Sequence, residues 1–500
     1  MRVTNALVRA ARLRPDAIAT IEAGEQATWR ETADRVARLA GAIAARGGAP
    51  GSRVAVLANN GAAYFEAWYA VPWSGAAIVP LNTRLAIAEL DFQLRDAEVA
   101  LLLHDGAFAA QAQALLERGS VPRILSFDEA RALGADPIAE HESTDPLAGI
   151  FYTGGTTGLP KGVMLSHANF AAMAMNLLAH LDMGAGDVLF HAAPMFHLAD
   201  IGTLFGTMAG ATHVFRAALD PATMIEDFTA HGVTHCFTVP VMIERLAAEA
   251  QARGVDLPDL RYLGYGGSAM AAASLDRARA QFPGVSFLQG YGQTEFPAAT
   301  FLGSEDHRPG ADPARLRSCG RACVGYDIRI LGEDGREVPR GTVGEIVGRG
   351  DNVMMGYLNR PEETAEVLRD GWLHTRDAGW MDAEGYITIT DRLKDMIVTG
   401  AENVYSIEVE HALSYHPDVV ESAVIGLPDE RWGERVHAIV VMAAGAPAPD
   451  EQHLRDHCRE RIAGYKVPKS FEFRTEPLPR TAAGKVQKRV LRDARTVACA

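Results

Sequence analysis

The stretch Phe151–Gly162, FYTGGTTGLPKG, constrains this chain more than any other. Gly154, Gly155 and Gly158 allow backbone geometries that side chains forbid, so successive N–H groups can turn toward an anion. Thr153, Thr156 and Thr157 add hydroxyls that reach phosphate oxygens or a magnesium ion, and Lys161 adds a positive charge beside the stiffening Pro160. This composition describes a loop that holds a polyphosphate. It is not a Walker A loop, where Ser or Thr follows the lysine, because here Gly162 follows Lys161. An ordinary glycine-rich turn is the alternative reading of the segment taken alone.

The chain around this loop has 500 residues, more than one ordinary core, so two or more domains are expected. Its formal charge of −15 argues against a nucleic-acid partner, and it means that a site for anions must be made positive locally. The five cysteines are scattered and odd in number, which predicts reduced thiols, no structural zinc and a cytoplasmic location. No apolar run reaches the roughly 18 residues of a transmembrane helix. The arginines Arg2, Arg9, Arg12 and Arg14 read as part of a plain first helix rather than a targeting segment.

Thr28-x-x-Glu31 is a capping box, followed by Val36, Leu39, Ala40 and Ile43 at helical spacing. Arg53–Ala58, Ala76–Leu81 and Val99–His104 read as strands with helical stretches between them. After the glycine-rich loop the alternation resumes, with strands at Val188–Ala193 and His235–Val239 and helices at Pro221–His231 and Val241–Arg253. The fold class is therefore α/β, a large N-terminal body of mostly parallel sheets with flanking helices. Beyond about residue 392 the pattern changes to a small α+β unit, giving domains 1–391 and 392–500. Gly264-x-Gly266-x-x-Ala269 has the form of a dinucleotide fingerprint, but no acid stands about 20 residues further on to hold a ribose, so that reading is rejected. Taken alone, QGYGQTE (Gln289–Glu295) reads equally as a strand-end turn, and His197 in the apolar PMFHLAD reads equally as a core histidine.

YTGGTTGLPKG resembles the signature loop of the adenylate-forming superfamily, which includes acyl-CoA synthetases, peptide-synthetase adenylation domains and luciferases. Further segments resemble that family in the same order, over nearly the whole chain. The resemblance implies that Gly267 and Ser268, after Tyr265 and Gly266, border the adenine and substrate pocket. In QGYGQTE it assigns Gln289, Gly290 and Tyr291 to the nucleotide, Thr294 to the α-phosphate, and Glu295, with Thr156, to magnesium. Phe196 and His197 would line the mouth of the acyl pocket. WLHTRDAGW supplies Asp377 and DRLKD supplies Arg392 for the ribose, with Lys394 as the hinge between domains. Gly400, Ala401 and Glu402 match the loop beside the coenzyme A channel. Lys485 in PRTAAGK matches the lysine that contacts carboxylate and α-phosphate. Three departures stand out: Gly154 replaces Ser or Thr, and Arg376 and Ala401 replace glycines.

The implied activity is an AMP-forming acyl-CoA ligase using ATP, Mg2+ and coenzyme A. A carboxylate attacks the α-phosphate and a thiol then takes the acyl group, while the small C-terminal domain moves between the steps. No arginine stands beside Pro194–Asp200 or Tyr265–Met270, so a fatty or aromatic monocarboxylate is expected over a dicarboxylate. The wording of the motifs is nearest to fatty-acyl and feruloyl-type CoA ligases. An enzyme loading a carrier-protein thiol, a non-catalytic nucleotide-binding homologue and a luciferase-like oxygenase are the alternatives. The expected partners are small molecules, with a homodimer left open.

Overall fold

A computed structural model describes residues 1–142, 145–153, 160–267, 270, 272–392, 395–399, 402–429, 432–443, 450–480 and 486–496. The chain divides into two compact units, residues 1–327 with 348–373, and residues 328–347 with 374–500. The first unit contains, among its described residues, one nine-stranded and one seven-stranded sheet.

From one edge, the nine-stranded sheet runs Arg321–Ala322, Phe296–Leu302, Ser286–Gln293, Tyr262–Gly266, His235–Thr238, Val188–His191, Thr212–Phe215, Ile18–Glu22 and Glu25–Thr28. Its six central strands pair in parallel and its outer pairs are antiparallel. Parallel strands are covered on both faces, which is why they read as continuous apolar runs. The seven-stranded sheet shows the same logic. Val99–His104 lies between Arg53–Leu57 and Ile124–Ser126, and its Leu101, Leu102 and Leu103 are fully buried. Burying one such side chain contributes about 1.5–3 kcal/mol.

Local signals set the element ends. Thr28 Oγ1 accepts from the Glu31 N–H (3.2 Å) while Glu31 Oε2 accepts from the Thr28 N–H (2.8 Å), so both sides of the expected capping box form. The helix Trp29–Ala45 starts there and buries Val36, Ala40 and Ile43. The expected first helix is present as Thr4–Leu13.

The glycine-rich stretch has a setting that its composition does not announce. Leu147–Thr153 and Lys161–Ser166 pair antiparallel, and Thr153 faces Lys161 across the ladder. The segment between them therefore joins the two strands of a hairpin.

The second unit carries its own sheet, ordered Glu402–Val404, Ile397–Thr399, Gly433–Met442, Val419–Asp429, with Ser470–Arg474 beside Gly433–Met442. Period-two alternation sends Val424, Val436, Ala438 and Val440 to one face, with helix residues Val409, Leu413 and Leu454. Ala423, Ile425, Ile439 and Val441 go to the other face, with Leu478 and Leu491. Residues 402–404, read from sequence as part of a loop, form a strand against Ile397–Thr399. No described helix is long and apolar enough to cross a membrane.

Candidate active site

Three of the segments singled out in the sequence lie at the carboxyl ends of parallel strands in the nine-stranded sheet. Open α/β sheets place ligands at that edge. Residues 192–200 follow Val188–His191, residue 267 follows Tyr262–Gly266, and Thr294–Glu295 close the hairpin of Ser286–Gln293 and Phe296–Leu302. Tyr265 pairs with Gln289 and Gly266 with Gly290. A Cβ added at Gly266 would lie 2.9 Å from the Gly290 carbonyl oxygen, so only glycine permits this approach of the two backbones.

Tyr265 is buried, and its hydroxyl lies 2.9 Å from His307 Nε2. His307 Nδ1 lies 2.7 Å from the Gly303 carbonyl, to which it must donate. Nε2 is then an acceptor, and the Tyr265 hydroxyl donates to it. Burial holds His307 down to about 4, so the ring is neutral and this arrangement persists at neutral pH.

On the phosphate side, Lys161 forms an ion pair with Glu363, and its ammonium stands 4.8 Å from the centre of the Tyr357 ring. The Tyr357 hydroxyl donates to Glu295 Oε1 at 2.8 Å. One tyrosine thus joins the cation that ends the glycine-rich stretch to the carboxylate of QGYGQTE. Tyr357 is set by its strand pairing with Val163 and by its N–H donating to Thr364 Oγ1 at 2.9 Å. Sequence reading missed Tyr357 and Glu363, because GY and PEE carry no distinctive chemistry and lie far along the chain from Lys161.

The oxygen chemistry at Glu295 suits magnesium, which takes one or two protein carboxylates and fills its shell with water and phosphate oxygens. Glu295 Oε2 accepts no hydrogen bond from the described residues and remains able to bind a cation. Among the described residues no cluster of three or more His, Cys, Asp or Glu forms a self-sufficient metal site. Thr153 is half-buried at the strand end, while Gly154, Gly155, Thr156, Thr157, Gly158 and Ser268 lie outside the described residues.

The Pro194–Asp200 segment is a short turn. His197 caps the turn Leu198–Asp200, its Nδ1 accepting from the Ala199 N–H at 3.1 Å. Phe196 and His197 are half-buried, and Met195 and Leu198 are buried. Asn60 grips the entry to the turn. Its amide donates to the His191 and Ala193 carbonyls (3.2 and 2.8 Å), and its oxygen accepts from the Met195 N–H (2.8 Å).

In the second unit, Asp377 and Arg392 are register partners of the antiparallel strands Trp372–Met381 and Ile387–Arg392. Asp377 is buried, and its N–H donates to Thr375 Oγ1 at 3.1 Å. Arg376 adopts φ 60°, the left-handed conformation that glycine favours, and its N–H donates to Glu345 Oε1 at 3.0 Å. Arg376 thus occupies a backbone conformation that favours glycine. Glu402 lies in a strand; Lys394, Gly400, Ala401 and Lys485 lie outside the described residues.

A cation, an aromatic hydroxyl and a carboxylate are thus linked through Tyr357 beside the glycine-rich stretch, an arrangement suited to an enzyme that handles a charged, phosphate-bearing substrate. The chain belongs to the AMP-binding enzyme family, whose model matches residues 7–358, with the AMP-binding enzyme C-terminal domain matching residues 408–485. It is similar to a feruloyl-CoA synthase of Amycolatopsis sp, 41% identical over 487 residues and 96% of both chains. It is also similar to the fatty acid–[acyl-carrier-protein] ligase ScoC of Streptomyces coeruleorubidus, 35% identical over 96% of this chain and 93% of the other. Among solved structures it is similar to the amide bond synthetase McbA from Marinactinospora thermotolerans, with a TM-score of 0.91 at 33% identity over 98% and 99% of the two chains.

Proposed function

We propose that this protein activates a fatty or aromatic monocarboxylate. It is an AMP-forming acid–thiol ligase that uses ATP, magnesium and coenzyme A. The carboxylate attacks the α-phosphorus of ATP, pyrophosphate leaves, and the thiol then displaces AMP from the acyl carbonyl.

The observation that carries this reading is the joining of Lys161 and Glu295 through Tyr357. Two anions must meet in the first step, so the site has to gather positive charge where phosphate charge develops. Lys161 supplies it directly. Glu295, with Thr156, would hold magnesium, which when bound neutralises phosphate oxygens. Asp377 and Arg392 are proposed to hold the ribose, and Gly267, Ser268, Gln289, Gly290 and Tyr291 the base. Thr294, the residues 153–158 and Lys485 are assigned to the phosphates and carboxylate. Residues 392–500 are proposed to turn about Lys394 between the steps, bringing the Gly400–Glu402 segment to the thiol channel.

The substrate class rests on the two pocket segments. Pro194–Asp200 and Tyr265–Met270 contain no arginine to meet a second carboxylate, and Met195, Leu198 and Met270 are buried apolar groups. A carrier-protein thiol is a second acceptor to consider, since a relative at 35% identity is named for that reaction. Cytoplasmic location and a homodimer complete the proposal, the latter open to sedimentation measurements.

The test is pyrophosphate release over a panel of fatty, aryl and dicarboxylic acids, with thioester product measured for coenzyme A and for a phosphopantetheinylated carrier protein. Turnover of a monocarboxylate that requires coenzyme A is expected. Turnover confined to dicarboxylates would overturn the substrate class, and thioester found only on the carrier would favour the second acceptor.

A further inference from the structure

Below the Pro194–Asp200 turn runs a chain of sealed polar side chains that neither half-reaction uses. His191 ends its strand, Asp200 ends the turn, His213 lies on Thr212–Phe215, and Thr203 and Thr207 lie on the helix Gly202–Ala209. All five are buried. His191 Nδ1 is 2.9 and 3.0 Å from the two Asp200 oxygens, and its Nε2 is 2.9 Å from His213 Nδ1. His213 Nε2 is 3.1 Å from Thr207 Oγ1. Thr203 Oγ1 donates to Asp200 Oδ2 at 3.4 Å. Phe65 and Phe215 pack against the imidazoles at ring distances of 4.7 and 4.5 Å, and Trp29 closes on His213 edge-on.

Counting protons fixes the arrangement. Thr207 has one hydroxyl proton and gives it to the Thr203 carbonyl at 2.7 Å. Its oxygen therefore faces His213 as an acceptor, and His213 Nε2 carries the N–H. Burial, with His191 alongside, keeps His213 neutral, so its Nδ1 holds a lone pair. That lone pair must be met by an N–H on His191 Nε2. One further proton then lies between His191 Nδ1 and Asp200, and with it every group in the chain is satisfied.

The end of this chain is the end of the turn. The Asp200 N–H donates to the His197 carbonyl and the His197 N–H to the Pro194 carbonyl, both at 2.9 Å. Because His197 Nδ1 accepts from the Ala199 N–H, Nε2 is the ring nitrogen that carries a proton. Asn60 holds one end of the turn and Asp200 the other.

We propose that Asp200, His191 and His213 are positioning residues for the carboxylate substrate: they fix the Pro194–Asp200 turn and with it the direction and tautomer of His197. This rests on the reading of that turn as a wall of the acyl pocket. Asp200 acts through its hydrogen bonds and not through its charge. An asparagine at position 200 can donate to His191 Nδ1 and accept from Thr203, which leaves the whole chain satisfied and neutral.

The test compares Asp200→Asn, Asp200→Leu and His197→Ala, with KM measured separately for acid and for ATP. Asp200→Asn should keep the acid KM within about twofold of the parent, while Asp200→Leu raises it about tenfold and leaves the ATP KM in place. Equal loss of kcat in both Asp200 variants at unchanged acid KM would overturn the proposal, as would an acid KM unmoved in both. Where Asp200→Leu fails to fold, Thr207→Val removes a single hydroxyl at the far end of the chain. It should raise the acid KM about threefold, and no change would overturn the proposal. His197→Ala separates the two ideas. An acid KM unmoved in that variant overturns the pocket reading, whereas a raised one beside inert Asp200 and Thr207 variants overturns only the positioning network.

Discussion

Lys161 and Glu295 rest in contacts that a ligand can replace, whereas His191 and Asp200 rest in contacts that nothing reaches. The side chains of Lys161 and Glu363 keep 19% and 35% of their surface, against 0% and 6% for His191 and Asp200. Around Lys161 and Glu295 each charge has a partner, Glu363 and the Tyr357 ring for the lysine and the Tyr357 hydroxyl for the carboxylate, and the Lys161 and Glu363 side chains stay partly exposed. Around His191 and Asp200 the polar groups close on one another beneath aromatic rings. The difference separates two tasks. Groups that meet a charged substrate need provisional partners, because a lone charge awaiting ligand would be costly and a permanent partner would exclude it. Groups that hold the shape of an apolar wall need partners that water and substrate cannot take.

The largest effect that would sharpen this contrast is on stability. His191→Ala removes the buried imidazole that bridges Asp200 and His213 Nδ1, leaves Asp200 with only its Thr203 contact, and should cost about 3–5 kcal/mol, read as a lower midpoint in urea. Lys161→Ala, at the replaceable end, should leave that midpoint within about 0.5 kcal/mol, since partly exposed ion pairs contribute little. Comparable losses in both variants would break the comparison.

Next in size is Glu295→Gln, which should slow adenylation about 10²–10³-fold, near 3–4 kcal/mol, while AMP binding is kept. Normal adenylation at limiting magnesium would make Glu295 a structural residue.

Tyr357→Phe is the finer probe. It keeps the ring against Lys161 and deletes the hydroxyl held by Glu295, which should cost about 1.5 kcal/mol, a tenfold shift in the magnesium dependence of adenylation. A thermal midpoint that fell with an unchanged magnesium titration would assign Tyr357 to packing alone.

The smallest effect belongs to Arg376. The left-handed backbone costs a non-glycine residue about 1–2 kcal/mol, and glycine returns part of that as chain entropy on folding, so Arg376→Gly should gain about 0.5–1 kcal/mol. Equal or lower stability would mean that the arginine side chain offsets its own strain.

Much of the frame was legible because local signals agreed with the fold. Thr28 and Glu31 make their capping box, Val99–His104 is a strand over the range read for it, and the α/β alternation gives two mostly parallel sheets. The hairpin around the glycine-rich stretch was not legible, because the pairing of Lys161–Ser166 with Leu147–Thr153 is a register that composition does not encode. Tyr357 and Glu363 were invisible for a related reason: contacts between distant segments leave no periodicity. His191, Asp200 and His213 were passed over because a histidine in an apolar strand looks the same whether it is isolated or part of a network. Asp377 and Arg392 were paired by their resemblance to known motifs, and the ladder places their backbones opposite each other.

The hairpin has a consequence for the tempo of the reaction. A phosphate loop that runs into a helix is backed by a fixed dipole, which stays in place whether or not the anion is there. Here the loop runs from strand to strand, and the adjacent positive charge sits on the four-carbon stem of Lys161, with Glu363 already in contact. On this reading the departure of pyrophosphate is an exchange of one anion for another and not the parting of opposite charges into water. If Lys161 holds the pyrophosphate as proposed, Glu363 would compete for the same ammonium at high local concentration and would shorten the stay of the leaving group. Adenylation is readily reversed by pyrophosphate held in place, and on the proposed role of Lys161 a carboxylate waiting beside it would favour the forward direction.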